Sequence, residues 1–92
     1  MKLCWDAWNT GHIARHRVRK REVEEALQDE SRYVARTRAR KREERRYLVV
    51  GKTASGRMLR IILAVKPACL YPITAFDAPE ADRKLYRRKK RG

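Results

Sequence analysis

The spacing of hydrophobic residues predicts helices near both ends of the chain. Val23, Ala26 and Leu27 lie three and four positions apart, which places them on one face of a helix. A shorter helix precedes it, and Asn9 or Thr10 is suited to cap its first turn. The basic C-terminal segment follows a proline and two acidic residues, the order that the helix dipole favours. The predicted helices cover residues 9–15, 18–28 and 79–90.

An alternation of period two predicts a sheet in the second half of the chain. From Leu59 to Val65 the odd positions are all apolar, whereas the even positions mix apolar and charged side chains. One apolar and one half-polar face are expected for a sheet that helices cover on one side only. Gly56 ends a short turn before this strand, and Pro72 predicts that the following strand is an edge strand or carries a bulge. The predicted strands cover residues 2–5, 31–36, 46–53, 57–66 and 69–75.

This order of elements predicts an α+β fold. It consists of two N-terminal helices, a four- to five-stranded mainly antiparallel sheet and a basic C-terminal helix. A chain of 92 residues is long enough for one domain, residues 1–92, and too short for a dinucleotide-binding dehydrogenase or a (β/α)₈ barrel.

The formal net charge of +14 is concentrated in two short segments. Residues 36–46 hold seven basic and two acidic side chains, and residues 83–92 hold seven basic side chains and no acidic one, so the two together contribute +5 and +7. Such blocks favour a polyanionic partner, and nucleic acid is the common one. Their predicted nucleic-acid-binding residues are Arg38, Arg40, Lys41, Arg42, Arg83, Arg87 and Arg88. Tyr86 either stacks on bases or packs on the sheet.

The cysteines and the apolar runs predict a cytoplasmic protein without a cofactor. Cys4 and Cys69 show no zinc-binding spacing, and we expect them to be buried and reduced. No apolar run approaches the roughly 20 residues of a membrane helix, so no membrane association is expected. His12 and His16 share a helix face, but Ile13 replaces the glutamate of the zinc protease motif and no third ligand is evident. The two histidines therefore either pack in the fold or serve phosphate binding and proton transfer.

A carboxylate, arginines and a phenol surround the start of the central strand. With a histidine, these groups suffice to cleave RNA without a metal, because a base, a phosphate-binding cation and an acid are needed. The alternative is that they are exposed strand-end charges and a half-buried core tyrosine. A hairpin closed at residues 54–56 places Arg46 far from Arg57 and close to Lys66. The candidate catalytic residues are Glu44, Arg46, Tyr47, Arg57 and His16.

An ordered set of short motifs resembles the BrnT family of bacterial toxins. The motifs are Trp5-Asp6, Asn9, His12-Ile13, His16, Val18, Glu22-Val23-Glu24-Glu25, Tyr47-Leu48-Val49-Val50-Gly51, Gly56-Arg57-Met58-Leu59, Ile73-Thr74-Ala75 and Arg83 with Tyr86. They cover nearly the whole chain. The resemblance implies a RelE-like fold, RNA cleavage that arrests translation, and a cognate antitoxin whose complex with the toxin binds operator DNA.

The family's functional positions transfer unevenly to this chain. Arg46 and Arg57 match family arginines, and Glu44 falls close to a family acidic position. Phe76 stands where the family often has an arginine, and Arg83 or Arg87 of the last helix is a possible substitute.

Three functions stay open at this point. The first is a metal-independent endoribonuclease toxin. The second is a catalytically impaired nucleic-acid-binding module of the same fold. The third is a basic subunit that docks an acidic protein partner, and a homo-oligomer is compatible with each.

Overall fold

Two helices, four consecutive strands and a third helix follow one another along the part of the chain that the computed structural model describes, residues 2–37 and 44–91. The strands form one antiparallel sheet in the order β1-β2-β3-β4, so each strand pairs with its neighbour in sequence. The predicted α+β class, the antiparallel sheet and the C-terminal helix are confirmed. The elements are α1 (Ala7–Ala14), α2 (Lys20–Leu27), β1 (Tyr33–Thr37), β2 (Arg46–Lys52), β3 (Met58–Val65), β4 (Leu70–Asp77) and α3 (Glu80–Arg91).

The N-terminal segment lies beside β4 as a single bridge rather than as the predicted strand. Leu3 and Leu70 form a parallel bridge, in which the Leu70 amide donates to the Lys2 carbonyl at 2.9 Å. Cys4 and Cys69 are joined by a disulfide bond between Cα atoms 5.7 Å apart. The expectation of reduced cysteines is therefore wrong, because the strand bridge brings two residues 65 positions apart within bonding reach.

Helix α1 begins earlier than predicted because a different residue caps it. Asp6 accepts a hydrogen bond from the Asn9 backbone amide, and the Asn9 side chain accepts one from the Asp6 amide, each at 2.9 Å. The two residues form a reciprocal capping box. Asn9 and Thr10, the two expected caps, thus both lie inside the helix. Asn9 is its third residue, and its buried side chain also donates to the Cys4 carbonyl.

Helices α1 and α2 pack on the apolar face of the sheet. Gly51 of β2 faces Ala26 of α2 so closely that a Cβ atom on Gly51 would lie 2.2 Å from the Ala26 carbonyl oxygen. Only glycine permits this approach of helix to strand. The buried members of this core are Ile13, Val18, Val23, Ala26, Val49, Leu59, Ile61, Leu63 and Ala75.

Helix α3 covers part of the opposite face, so the expectation of helices on one side only is wrong. Tyr86 and Ala78 form a second buried cluster with Val50 and Met58 of the sheet. The polar position Arg60 on this face belongs to the interface, because both of its contacts with the Asp82 carboxylate are 2.9 Å long. A half-polar strand face here reflects an ion pair with a helix.

The β2–β3 turn and β4 agree with the sequence expectations. Gly56 has a φ of 90°, the left-handed conformation that the turn requires. Strand β4 is an edge strand, and its pairing with β3 shifts register where Leu63 meets Pro72. Within the described residues, no helix combines the length and apolarity needed to cross a membrane.

Candidate functional site

The predicted catalytic residues lie at opposite ends of the β2–β3 hairpin. Arg46 pairs with Ala64 at the open end, whereas Lys52 pairs with Met58 beside the turn. Since Arg57 immediately precedes Met58, about 20 Å of strand separates the two arginines, at roughly 3.3 Å per residue. The predicted distance between them along the hairpin is confirmed. Glu44, Arg46 and Tyr47 belong to the open end, and His16 and Arg57 to the turn end.

At the open end, Glu44, Arg46 and Lys66 form what we call the strand-end cluster. The Glu44 carboxylate accepts from Arg46 Nε at 2.6 Å with one oxygen and from Lys66 Nζ at 3.1 Å with the other. These hydrogen bonds, that of Arg46 foremost, lower the pKa of Glu44. The carboxylate is therefore held ionised between two cations, an arrangement that suits a structural ion pair better than a free general base.

Tyr47 is separated from the strand-end cluster by the sheet itself. Successive residues of a strand point to opposite faces, so Tyr47 faces away from Arg46. It pairs with Leu63 and, together with Val49, lines a groove of about 710 Å³ beside α2 and β1. Trp5 also borders the groove, and its indole Nε1 is buried without a hydrogen-bond partner in the described part of the chain. The phenol of Tyr47 and the carboxylate of Glu44 thus do not converge on one substrate position.

At the turn end, the Arg57 guanidinium links three segments of the fold. It donates to Asp77 at 2.7 Å, to both oxygens of Glu22 at 3.1 and 3.3 Å, and to the carbonyls of His16 and Arg17 at 3.2 and 2.7 Å. The hydrogen bond to Asp77 is the main cause of the raised pKa of Arg57. Its side chain is 25% exposed. We call these contacts the Arg57 network, and they engage the donors that a phosphate would otherwise use.

A row of four rings follows α1 and reaches the turn end with its last two members, His16 and Phe76, and we call it the aromatic row. Trp8 stacks on His12 at a centroid distance of 4.9 Å, His16 meets His12 edge-on at 5.6 Å, and Phe76 lies 5.5 Å from His16. The His12 Nε2 atom is hydrogen bonded to the Thr74 hydroxyl at 3.1 Å. His12 is therefore fixed from two sides, whereas the exposed His16 ring forms no side-chain hydrogen bond with the described residues.

Arg83 is brought to the turn end by the start of α3. Its Nε donates to the Ala78 carbonyl at 3.2 Å, and its charge adds to the effect of Arg57 in lowering the pKa of Asp77. Arg83 has no salt-bridge partner among residues 2–37 and 44–89. It is therefore a cation beside Asp77 and Ala78 with donors still available for an anion.

The remaining predicted nucleic-acid-binding residues differ in their surroundings. Arg87 is paired with Glu80 at 2.7 Å, both on the exposed side of α3, whereas Arg88 is exposed. Tyr86 is only 2% exposed and donates to Asp29 at 2.8 Å, which removes it as a base-stacking residue. Arg38, Arg40, Lys41 and Arg42 lie outside the described residues.

Sequence reasoning missed Trp8 and the basic character of the segment after it. Residues 1–35 carry a net charge of +1, but this sum hides five cations and no acid in residues 7–21, followed by five acids and no cation in residues 22–30. A shorter charge window would have revealed the contrast. The position of Trp8 on the face of His12 and His16 was readable from its four-residue spacing, but its 59% exposure was not.

Within the described residues, no three His, Cys, Asp or Glu side chains are grouped so that they could hold a metal ion. The turn end offers the exposed imidazole of His16, the guanidinium of Arg83 with donors still available, and the ring of Phe76. A comparison of the chain with models of known protein families gives no match, and neither does a comparison with curated proteins.

Proposed function

We propose that this protein is a metal-independent endoribonuclease toxin of a type II toxin–antitoxin pair, which cleaves RNA and arrests translation in the cytoplasm. The observation that carries the proposal is the position of His16. Its exposed imidazole lies 5.5 Å from the Phe76 ring, at the end of the sheet to which Arg57 and Arg83 belong. The resemblance to the BrnT family, which implies a RelE-like fold, agrees with this proposal.

RNA cleavage at this site needs one proton acceptor and one anion-binding group. His16 accepts the proton of a ribose 2′-hydroxyl, the 2′-oxygen bonds to phosphorus, and the bond from phosphorus to the 5′-oxygen breaks. The leaving 5′-oxygen takes a proton from solvent. The products are a 2′,3′-cyclic phosphate and a 5′-hydroxyl. Arg83 stabilises the negative charge on the phosphoryl oxygens during this step.

In this mechanism Arg57 is a positioning residue. Its guanidinium holds the carbonyls of His16 and Arg17, and thereby fixes the backbone that carries the imidazole. Replacement of Arg57 by alanine would therefore reduce cleavage because the His16 imidazole loses its fixed position. The same replacement would lower the stability of the protein. For this reason the decisive variant is at His16, which can be changed without removing a hydrogen bond of the described fold.

The experiment is a cleavage assay with labelled total RNA in EDTA, comparing wild type, His16→Gln and Arg83→Gln. Loss of a general base lowers rates by about 10²- to 10⁴-fold, and we expect this loss for His16→Gln. Arg83→Gln should also cleave more slowly. The new ends, identified by mass spectrometry, should be cyclic phosphates and 5′-hydroxyls.

Glu30→Gln is the matched control, because Glu30 is exposed and belongs to none of the clusters described above. It should cleave like the wild type. Equal cleavage by His16→Gln and the control, with both proteins folded, would refute the role of His16. Cleavage that needs an added divalent ion would refute the metal-independent mechanism.

A second candidate function, a nucleic-acid-binding module without catalysis, is favoured by two observations. Phe76 packs against His16 at the position where the family resemblance leads us to expect an arginine. The donors of Arg57 are engaged by Asp77, Glu22 and backbone carbonyls. Salt-sensitive RNA binding by the wild type without any product would favour this function over the ribonuclease.

The proposal includes an acidic antitoxin as protein partner, which in complex with the toxin binds operator DNA. The groove beside α2 has an apolar lining that includes Leu27, Val49 and Leu63, and its charged lining residues are two cations and one acid: Lys2, Arg32 and Glu24. Such a surface suits an apolar segment flanked by carboxylates. Co-purification of the toxin with the product of an adjacent gene, and loss of cleavage in that complex, would support this part of the proposal.

A further inference from the structure

The exposed tryptophan of α1 has no packing role that accounts for its position. Trp8 is 59% exposed, and the only other large hydrophobic side chain exposed to a comparable degree in the described residues is Val34 at 44%. One face of the indole lies on His12, nearly parallel to it at 5°. A ring that is backed on one face and exposed elsewhere presents a flat surface at little entropic cost, since its orientation is already fixed.

His12 is a firm support for this ring. The hydrogen bond to Thr74 ties the His12 imidazole to β4, and the edge contact with His16 restrains it from the other side. The indole therefore rests on a group that is anchored in the sheet. Aromatic side chains arranged in this way accept the bases of single-stranded nucleic acids, and the stacking tolerates any base.

The charge of the segment that follows Trp8 favours a polyanion as the occupant. Residues 7–21 hold five cations and no acid, and the cations all lie between Arg15 and Arg21. Arg15 follows Trp8 by seven residues, which is two helical turns, so it projects from the same side of α1. The preceding Asp6 is occupied by the α1 cap and by the Tyr71 hydroxyl, at 2.9 and 3.0 Å from its two oxygens. Between this cap and Arg21 the chain adds no further acidic side chain that would repel a phosphate chain.

We propose that Trp8 is a base-stacking subsite, in which the exposed indole face binds an unpaired base of single-stranded RNA and Arg15 contacts its phosphate chain. This inference rests on the proposed function and deepens it, because it identifies unpaired RNA as the substrate class. The aromatic row continues from this subsite to His16. A strand stacked on Trp8 is thereby directed along α1 toward the imidazole.

The test measures binding separately from cleavage. The probe is a fluorescein-labelled ten-nucleotide oligouridylate with a 2′-O-methyl group on every ribose, which has no free 2′-hydroxyl and is not cleaved. Trp8→Ala should weaken its binding by about 5- to 150-fold, the range found for loss of one stacked base. Trp8→Phe should restore most of the affinity. Val34→Ala, at the other exposed hydrophobic position, should bind like the wild type.

Salt dependence distinguishes stacking from charge. Trp8→Ala removes no phosphate contact, so its log–log salt slope should equal that of the wild type. Arg15→Ala should reduce the slope by about 0.7.

In a Trp5→Phe background the remaining tryptophan emission comes from Trp8, and the probe should quench it. A deoxyribose probe of the same sequence tests whether the stacked base can come from DNA instead of RNA. A duplex probe of the same length should bind wild type and Trp8→Ala equally.

Two results would overturn the subsite. One is equal affinity of wild type and Trp8→Ala for the single-stranded probe, and the other is an unchanged Trp8 emission at saturating probe. If RNA is cleaved while Trp8→Ala binds normally, the subsite fails and the ribonuclease stands. If binding depends on Trp8 while no RNA is cleaved, the ribonuclease fails and the subsite stands.

Discussion

The guanidinium of Arg57 donates a hydrogen bond of 2.7 Å to the backbone carbonyl of Arg17, across 40 residues of sequence. Arg17 has a φ of 58°, and it is the only residue other than glycine with a positive φ in the described chain. An unfavourable backbone conformation thus coincides with the acceptor of a charged hydrogen bond. The turn between α1 and α2 is held in place by a side chain from the residue that precedes β3.

We expect Arg57→Ala to destabilise the protein by about 2 kcal/mol or more, because hydrogen bonds to several acceptors are lost and the Glu22 carboxylate loses a cation. Arg57→Lys should recover part of this loss, since one ammonium group cannot reach all of these acceptors. Urea unfolding followed by circular dichroism measures both. Equal stability of wild type and Arg57→Ala would show that the Arg57 network contributes nothing to the fold.

Arg17→Gly should stabilise the protein by about 0.5–1 kcal/mol. A side chain in the left-handed region costs roughly 1–2 kcal/mol, of which the greater freedom of glycine in the unfolded chain removes a part. The carbonyl that Arg57 binds is retained. Arg15→Gly is the matched control, because Arg15 has the right-handed φ of −63° and glycine should destabilise there. Thermal melts of the two variants should shift in opposite directions.

Gly51→Ala should be among the most destabilising single substitutions in the chain. The new methyl group would lie 2.2 Å from the Ala26 carbonyl oxygen, and a backbone atom cannot move away without displacing α2 from the sheet. Gly11→Ala is the opposite case, since a Cβ atom on this helical glycine meets nothing within 4 Å. It should stabilise by roughly 1 kcal/mol. A similar loss in both variants would contradict the close packing of α2 on β2.

Tyr86→Phe should cost about 1–2 kcal/mol at neutral pH, because Asp29 loses a buried donor. Burial raises the pKa of Tyr86 to about 12, and the hydrogen bond to Asp29 contributes further. Since the folded value exceeds the unfolded value of 10.0, the stabilisation is complete below pH 10 and is lost as the pH rises through about 12. Between pH 9 and pH 11.5, the free energy of unfolding measured with urea should therefore fall more for the wild type than for Tyr86→Phe.

At acid pH, stability depends on pH with the opposite sign. Burial works against ionisation of Asp29, but the amides of Lys52 and Ser31 and the Tyr86 hydroxyl outweigh it and lower the pKa below 3.8. The ionised carboxylate therefore stabilises the fold above pH 3.8, and this contribution disappears as the pH falls through the lower folded value. Asp29→Asn should flatten this part of the stability profile. If wild type and Asp29→Asn lost stability equally at acid pH, the charge of Asp29 would not be what connects α3 to the sheet.

The alternating pattern predicted the sheet well because a strand face repeats every two residues, and a long apolar strand such as β3 permits few other interpretations. The position of α3 was not predictable in the same way. Arg60 made its strand face look solvated, and its partner Asp82 lies 22 residues later in the chain. Pairings of this kind depend on the tertiary fold, which local patterns do not contain.

The candidate site was likewise predictable only in part. The hairpin turn at Gly56 correctly separated Arg46 from Arg57, because the register of a hairpin follows from its turn. The acceptors of Arg57 are largely backbone carbonyls and carboxylates of distant segments, so its structural role was invisible in the sequence. The exposure of Trp8 was equally invisible, since an amphipathic pattern alone does not tell a buried ring from a presented one.

The bond between Cys4 and Cys69 makes a covalent ring of most of the chain, with β4 and α3 as a tail outside it. In the chain-entropy account, closing a loop of this length stabilises the fold by about 4 kcal/mol. A protease that cuts once between the two cysteines opens the ring without releasing a fragment, whereas a cut after Cys69 frees the tail. Thiols such as glutathione remove this protection, so the same nick has different consequences in oxidising and reducing surroundings.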